Sequence, residues 1–252
     1  AIQKMGGFSI HREGVDRQAL DTAIAILATA ERPLILFPEG TTNRSNDVLK
    51  PLLDGVSFIA RTAARRRKKK TNGNVVIHPI AIKYLCTDDI CDWARQRLLQ
   101  IEQGFGWQVP PGLSIVQRTR RIVDGAFVLC ELQYLGKTGS GTMKQRREAL
   151  IESILQRTEN RLAMAAAEGN TRERVRAIRT EIASQFFRQD VDQDSEIHFR
   201  QDVIAVDMVQ EMISFPESYL DSDEVTDTRI VETIQRIEES ILGKADCGVA
   251  LR

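Results

Sequence analysis

The stretch LILFPEGTTNRSN, residues 34 to 46, decides how the chain is read. Four apolar residues, Leu34 to Phe37, stop at Pro38 and Gly40 and give way to a carboxylate, hydroxyls, amides and Arg44. A short apolar run closed by turn residues reads as a buried strand. In an α/β sheet the crevice beyond the strand ends is where ligands bind, so the polar cluster is expected to hold a small polar molecule.

The flanking sequence extends this reading. Upstream, Asp16 can cap a helix carrying Leu20, Ala23, Ile24 and Leu27 at helical spacing, ending before Pro33. Downstream, Val56, Ile59, Ala60 and Ala63 repeat the helical period and run out into Arg65 to Lys70. NVVIHPIAIKYL, residues 74 to 85, then reads as a second buried strand. Strand, loop, helix, strand favours a right-handed crossover between parallel strands. The expected fold is therefore α/β, a mixed sheet with flanking helices over residues 1–87. Residues 88–252 are expected to be mainly helical and acidic from about residue 190. There Ile230, Ile234, Ile237 and Ile241 mark one apolar helix face.

With 252 residues and 42% hydrophobic content, the chain can bury a substantial core. Its 35 basic and 35 acidic residues are unevenly placed: residues 1–189 hold 30 basic against 19 acidic, and residues 190–252 hold 5 against 16. A basic part that meets anionic partners is expected, with an acidic part that folds back on it or stays solvated. Cys86, Cys91, Cys130 and Cys247 form no CxxC pair, and His11, His78 and His198 are scattered, so no zinc or other metal site is read. Unpaired thiols fit a reducing compartment. No apolar run approaches the roughly 20 residues that span a bilayer, and no signal peptide is visible.

Three stretches fall in one order: GGFSIHRE at 6–13, FPEGTTNRS at 37–45 and VVIHPIAI at 75–82. Together they resemble the second, third and fourth sequence blocks of the glycerolphosphate acyltransferase family, which includes the lysophosphatidate acyltransferases of phospholipid synthesis. The resemblance implies transfer of a fatty acyl group from acyl-CoA or acyl carrier protein to a hydroxyl of a glycerol phosphate or lysophosphatidate-type acceptor, with no cofactor and no metal. It implies that Gly7 and Arg12 belong to the acceptor site, with Arg12 on the phosphate, where a guanidinium fork gives two parallel hydrogen bonds. Glu39 and Gly40 match the acceptor-binding pair: the carboxylate accepts from a glycerol hydroxyl and the glycine lets the backbone approach. Thr41 matches as well. The arginine usual at the next position is displaced here by Thr42 and Asn43, and Arg44 is read as its substitute. Pro79 matches the proline that shapes the acyl-donor side. Taken singly, each has a bland reading: PEGT as an ordinary turn, Arg12 as a surface arginine, Pro79 as an edge-strand residue. Their order and the position of PEGT at a strand end weigh against that.

The family's first block, H-x4-D, supplies the histidine that takes the acceptor hydroxyl's proton. His11 and Asp16 meet that spacing formally, in HREGVD. They overlap the second block, however, and five residues on a helix turn about 140° around its axis, so His11 and Asp16 remain weak candidates. The chain begins with Ala, and the catalytic block is expected upstream of Ala1.

The run ARRRKKK, Ala64 to Lys70, has three readings. It can be a solvated helix end, favourable to the dipole. It can hold anionic headgroups or the phosphates of the acyl donor, placing the protein peripherally on the cytoplasmic side of a membrane. Nucleic acid is disfavoured, since no aromatics interleave the run and the chain has no net positive charge. The alternative to an enzyme is a catalytically inactive acyltransferase-like module that binds anionic lipid or nucleic acid through this run.

Overall fold

The computed structural model describes residues 6–8, 10, 16–40, 45–109, 111–165, 169–188, 193–213, 217–221 and 225–242. They divide into two compact units: residues 1–43 with 48–82, and residues 44–47 with 83–252.

The first unit is built on two helices. In α1 (Arg17–Thr29), Asp16 Oδ1 accepts from the Ala19 N–H at 2.9 Å, the cap expected of it, and Ala30 ends the helix at φ 54°. In α2 (Gly55–Thr71) the basic residues Lys68 to Lys70 occupy the last turn. The helices share a core of Ala23, Ile24, Ile59 and Ala63, against which Leu20, Leu27, Leu34, Leu36 and Val75 pack. Small residues at 23 and 63 leave room for close approach, and the isoleucines fill the seam.

The expected α/β sheet is not observed: the described residues form helices and no strand. Residues 34–37 and 74–85 are irregular chain. The side chains of 34–37 alternate, with Leu34 and Leu36 toward the helix core and Ile35 and Phe37 81% and 77% exposed. Val76, Ile77, Ile80 and Ile82 are exposed too. Alternation reports which side of the chain meets a core. A strand also needs a neighbour's backbone about 4.8 Å away to form a ladder, and among the described residues these segments have none.

The second unit is helical: α3 (Cys91–Gly104), α4 (Ile115–Leu135), α5 (Met143–Arg161), α6 (Thr171–Arg188), α7 (Gln193–Met212), a 3-10 turn (Glu217–Tyr219) and α8 (Asp227–Leu242). Reciprocal capping boxes start α4 and α5, Ser114 with Gln117 and Thr142 with Gln145. Two apolar clusters stabilise the unit. Leu98, Ile101, Ile122, Val231 and Ile234 join α3, α4 and α8, while Leu150, Leu155, Ile178 and Val206 join α5, α6 and α7. Ile230, Ile234 and Ile237 are buried, as their spacing predicts; the side chain of Ile241 lies outside the described ones.

The acidic segment folds back onto arginines of this unit. Asp202 pairs with Arg161, Asp207 with Arg179, and Glu238 with Arg97 at 3.4 Å. Asp202 and Glu238 are buried, so these pairs neutralise charges that could not otherwise leave water.

Candidate active site

Phe37 to Gly40 form a tight turn, in which the Gly40 N–H donates to the Phe37 carbonyl at 3.3 Å. Proline at its second position presets the bend. Gly40 sits at φ 69°, and a Cβ there would lie 2.3 Å from Leu53 Cδ1, so both the backbone angle and Leu53 favour glycine. Leu53 also closes the loop: its N–H donates to the Pro38 carbonyl at 2.8 Å.

This turn presents Glu39. One of its carboxylate oxygens, Oε2, is buried and has no hydrogen-bond partner among the described residues. A buried, uncommitted carboxylate oxygen is costly, and its cost is offset when a ligand donor reaches it. The adjacent glycine leaves that approach free of a side chain. A hydroxyl-bearing ligand answers both features.

The other candidates stand as follows. Arg12, His11, Thr41 and Arg44 lie outside the described residues. Asp16 caps α1. Gly7 is half-buried, and its neighbour Gly6, at φ 88°, lies under the Arg32 guanidinium, where a Cβ would stand 2.1 Å from Nη1. Pro79 and His78 are exposed on the irregular segment. No described contact joins Pro79 to Glu39. Arg32 was not among the sequence candidates; its position 19 residues beyond the second block left no spacing signal.

A cavity of about 370 Å³ in the same unit is lined by Leu27, Arg32, Pro33, Arg67, Val75 and Val76, among others. Arg67 Nε is buried there without a partner among the described residues. The cavity shares no lining residue with the Phe37–Gly40 turn, so it is not the place that Glu39 faces. Among the described residues no cluster of His, Cys, Asp and Glu could hold a metal, and no helix is long and apolar enough to cross a membrane.

Beyond the turn, Ser45 is buried, and Asn46 and Asp47 are held by the helical unit. The Asn46 N–H donates to Glu232 Oε1 at 3.0 Å. The Asn46 side-chain amide pairs with both backbone groups of Tyr84, accepting from its N–H at 2.8 Å and donating to its carbonyl. Arg229 Nε reaches Asp47 Oδ2 at 2.9 Å, and its guanidinium lies 4.9 Å from the centre of the Tyr219 ring. The Tyr219 hydroxyl donates to Glu232. Burial pushes the Glu232 carboxyl above its ordinary value and, with the Glu232 hydrogen bond, raises the Tyr219 phenol as well.

Comparison with known proteins bears on this geometry. The family model described as Acyltransferase matches residues 1–83, a third of the chain, the segment in which the three blocks lie. The match supports acyl transfer as its general activity. No curated protein and no solved structure matches the chain.

Proposed function

We propose that the chain serves the transfer of a fatty acyl group from acyl-CoA or acyl carrier protein to a hydroxyl of a glycerol phosphate or lysophosphatidate-type acceptor, in phospholipid synthesis. The observation that carries this reading is the buried Glu39 Oε2, without a partner among the described residues, beside Gly40 at φ 69°, inside the segment that the family model matches. Glu39 accepts a hydrogen bond from an acceptor hydroxyl, and Gly40 and Thr41 bring the backbone against the glycerol. Arg12 holds the phosphate, with Arg44 assisting, and Pro79 shapes the donor side. The acceptor oxygen attacks the thioester carbon; the new C–O bond replaces the C–S bond, and the hydroxyl proton leaves through the histidine of an H-x4-D block to the departing thiolate. Orientation of the hydroxyl is the part that Glu39 supplies.

Exposed Arg65, Arg66, Lys68, Lys69 and Lys70 favour a second element of the proposal, peripheral docking to an anionic membrane surface where such acceptors reside.

Calorimetric titration of the chain with glycerol 3-phosphate, and separately with an acyl-CoA, tests the site. Arg12→Ala and Glu39→Ala are expected to weaken the acceptor about tenfold and to leave the donor within twofold. Equal losses for both ligands, or none, would overturn the assignment.

A further inference from the structure

One member of the basic run does not fit a solvated helix end. Arg65, Arg66 and Lys68 to Lys70 are exposed, whereas Arg67 between them is half-buried. It lines the open cleft of about 370 Å³ in the N-terminal unit, where it shares the wall with Arg32, in the loop that follows α1. α1 and α2 pack through one core, and their C-terminal ends bring the two guanidinium groups to the same cleft.

The bland reading of an arginine at such a place is a helix cap, since guanidinium groups bond the last carbonyls and suit the dipole. The contacts weigh against it. Arg67 Nε is buried and has no hydrogen-bond partner among the described residues. Arg32 Nε stands 4.0 Å from Glu31 Oε1, beyond hydrogen-bond reach, and the two side chains are 37% and 63% exposed, so the carboxylate in the lining does not commit it. Space is kept around both groups as well. Asn72 ends α2 at φ 53°, and the chain then passes so close to Arg67 that a Cβ at Gly73 would stand 2.6 Å from its Nε, as one at Gly6 would crowd Arg32.

Like charges in one cleft repel, and a buried N–H without an acceptor is costly. A ligand with two negative charges and several acceptor oxygens offsets both. A phosphate monoester has them: it is close to doubly ionised at neutral pH, and its three terminal oxygens match the guanidinium fork. A phosphodiester, with one charge and two free oxygens, answers less of the cleft. Asn74 adds an amide, and Leu27, Val75 and Val76 offer apolar surface to whatever carries the phosphate. Val76 is 69% exposed, so the cleft is open to a ligand from solvent or from a surface.

We infer that Arg32 and Arg67 form a binding site for a phosphate monoester, whether the headgroup of phosphatidate in a membrane or a soluble phosphate. The site shares no lining residue with the Phe37–Gly40 turn, and it does not depend on the acceptor reading of Glu39.

The test uses the full chain. Arg32→Lys and Arg67→Lys keep the charge and remove the fork; Arg61→Lys, at an exposed position of α2, is the control. Calorimetry reads inorganic phosphate, and sedimentation compares phosphatidate vesicles with phosphatidylglycerol vesicles of matched surface charge. Arg32→Lys and Arg67→Lys are each expected to weaken phosphate at least fivefold, and Arg61→Lys to leave it within twofold. A lipid source adds an at least fivefold preference of the native chain for phosphatidate, which both variants lose. A soluble source shows the loss of phosphate binding with no vesicle preference in the native chain. Thermal unfolding checks each variant, and should one fail to fold, the other, on a different element, decides. A site elsewhere, and the end of this inference, would follow if neither phosphate affinity nor phosphatidate preference fell in the folded variants. Equal weakening in Arg61→Lys, or a native chain that neither binds phosphate nor prefers phosphatidate, would overturn it too.

Discussion

The backbone N–H of Asn46 donates to Glu232 Oε1 at 3.0 Å, although 186 residues separate the two in sequence. The contact ties the residues that follow the PEGT turn to the last described helix. A long-range bond to a carboxylate that also accepts from Tyr219 leaves both oxygens of Glu232 committed, in contrast to Glu39, whose Oε2 is buried without a partner among the described residues.

Gly40→Ala is expected to destabilise the N-terminal unit by about 1–3 kcal/mol, because φ 69° is strained for alanine and its Cβ meets Leu53 Cδ1. Adding Leu53→Ala removes the clash but not the backbone strain. Denaturant unfolding of the single and double variants checks this; full recovery in the double variant would mean that the backbone angle is not strained.

Arg146→Ala should cost the helical unit about 3–5 kcal/mol, since it strands the buried Glu131 carboxylate. Arg146 Nε donates to Glu131 at 2.9 Å, and the Gly139 N–H adds a bond at 3.1 Å. The neutral partner Glu131→Gln combined with Arg146→Ala is expected to be less damaging than Arg146→Ala alone. Urea midpoints of the two variants decide it.

Stability should fall with acid through two carboxylates. Hydrogen bonds from Arg146 hold Glu131 below its ordinary value of 4.5, and those from Arg174 do the same for Glu152. Lowered groups contribute stability above the unfolded value, and that contribution is lost as pH drops through the folded one. Glu232 has the opposite sign: burial raises it, so its contribution is complete below 4.5 and declines as pH rises through the folded value. Glu232→Gln is therefore expected to gain stability relative to the native chain between pH 4 and pH 7, and Glu131→Gln to flatten the acid limb. Unfolding midpoints across that range would show a parallel shift of all three proteins if neither carboxylate were perturbed.

Vesicles containing phosphatidate are expected to sediment with the chain at low salt and to release it at high salt. Replacing Arg65 to Lys70 with glutamine should abolish this binding. Each of six charges contributes about 1 kcal/mol near an anionic surface, and screening shortens its reach as salt rises. Unchanged sedimentation after replacement would leave the run as a solvated helix end.

Where the signal is local, the sequence was sufficient. Asp16 as a cap and Ile230, Ile234 and Ile237 as a buried face follow from chemistry within one or two turns of helix. The capping boxes at Ser114 and Thr142 carry an equally local pattern that spacing could have found. Leu34 to Phe37 were misread because alternation and apolarity describe a side chain's surroundings, whereas a strand is defined by a partner elsewhere in the chain. The same limit hid the Asn46–Glu232 and Glu131–Arg146 pairs. Nothing in the neighbourhood of Asn46 indicates that a glutamate on the last helix will accept its N–H. At the site, Glu39 and Gly40 were legible as a motif, but the uncommitted Oε2 and the closure by Leu53 are properties of the folded loop.

The central claim is that Glu39 receives an acceptor hydroxyl. A ligand-and-mutant cycle tests it most directly: binding of glycerol 3-phosphate and of propyl phosphate, which lacks the hydroxyls, to the native chain and to Glu39→Ala. The native chain should bind glycerol 3-phosphate at least tenfold more tightly, and Glu39→Ala should lose most of that preference while binding propyl phosphate as before. Equal weakening of both ligands, with the preference intact, would contradict the assignment of Glu39 to the hydroxyl.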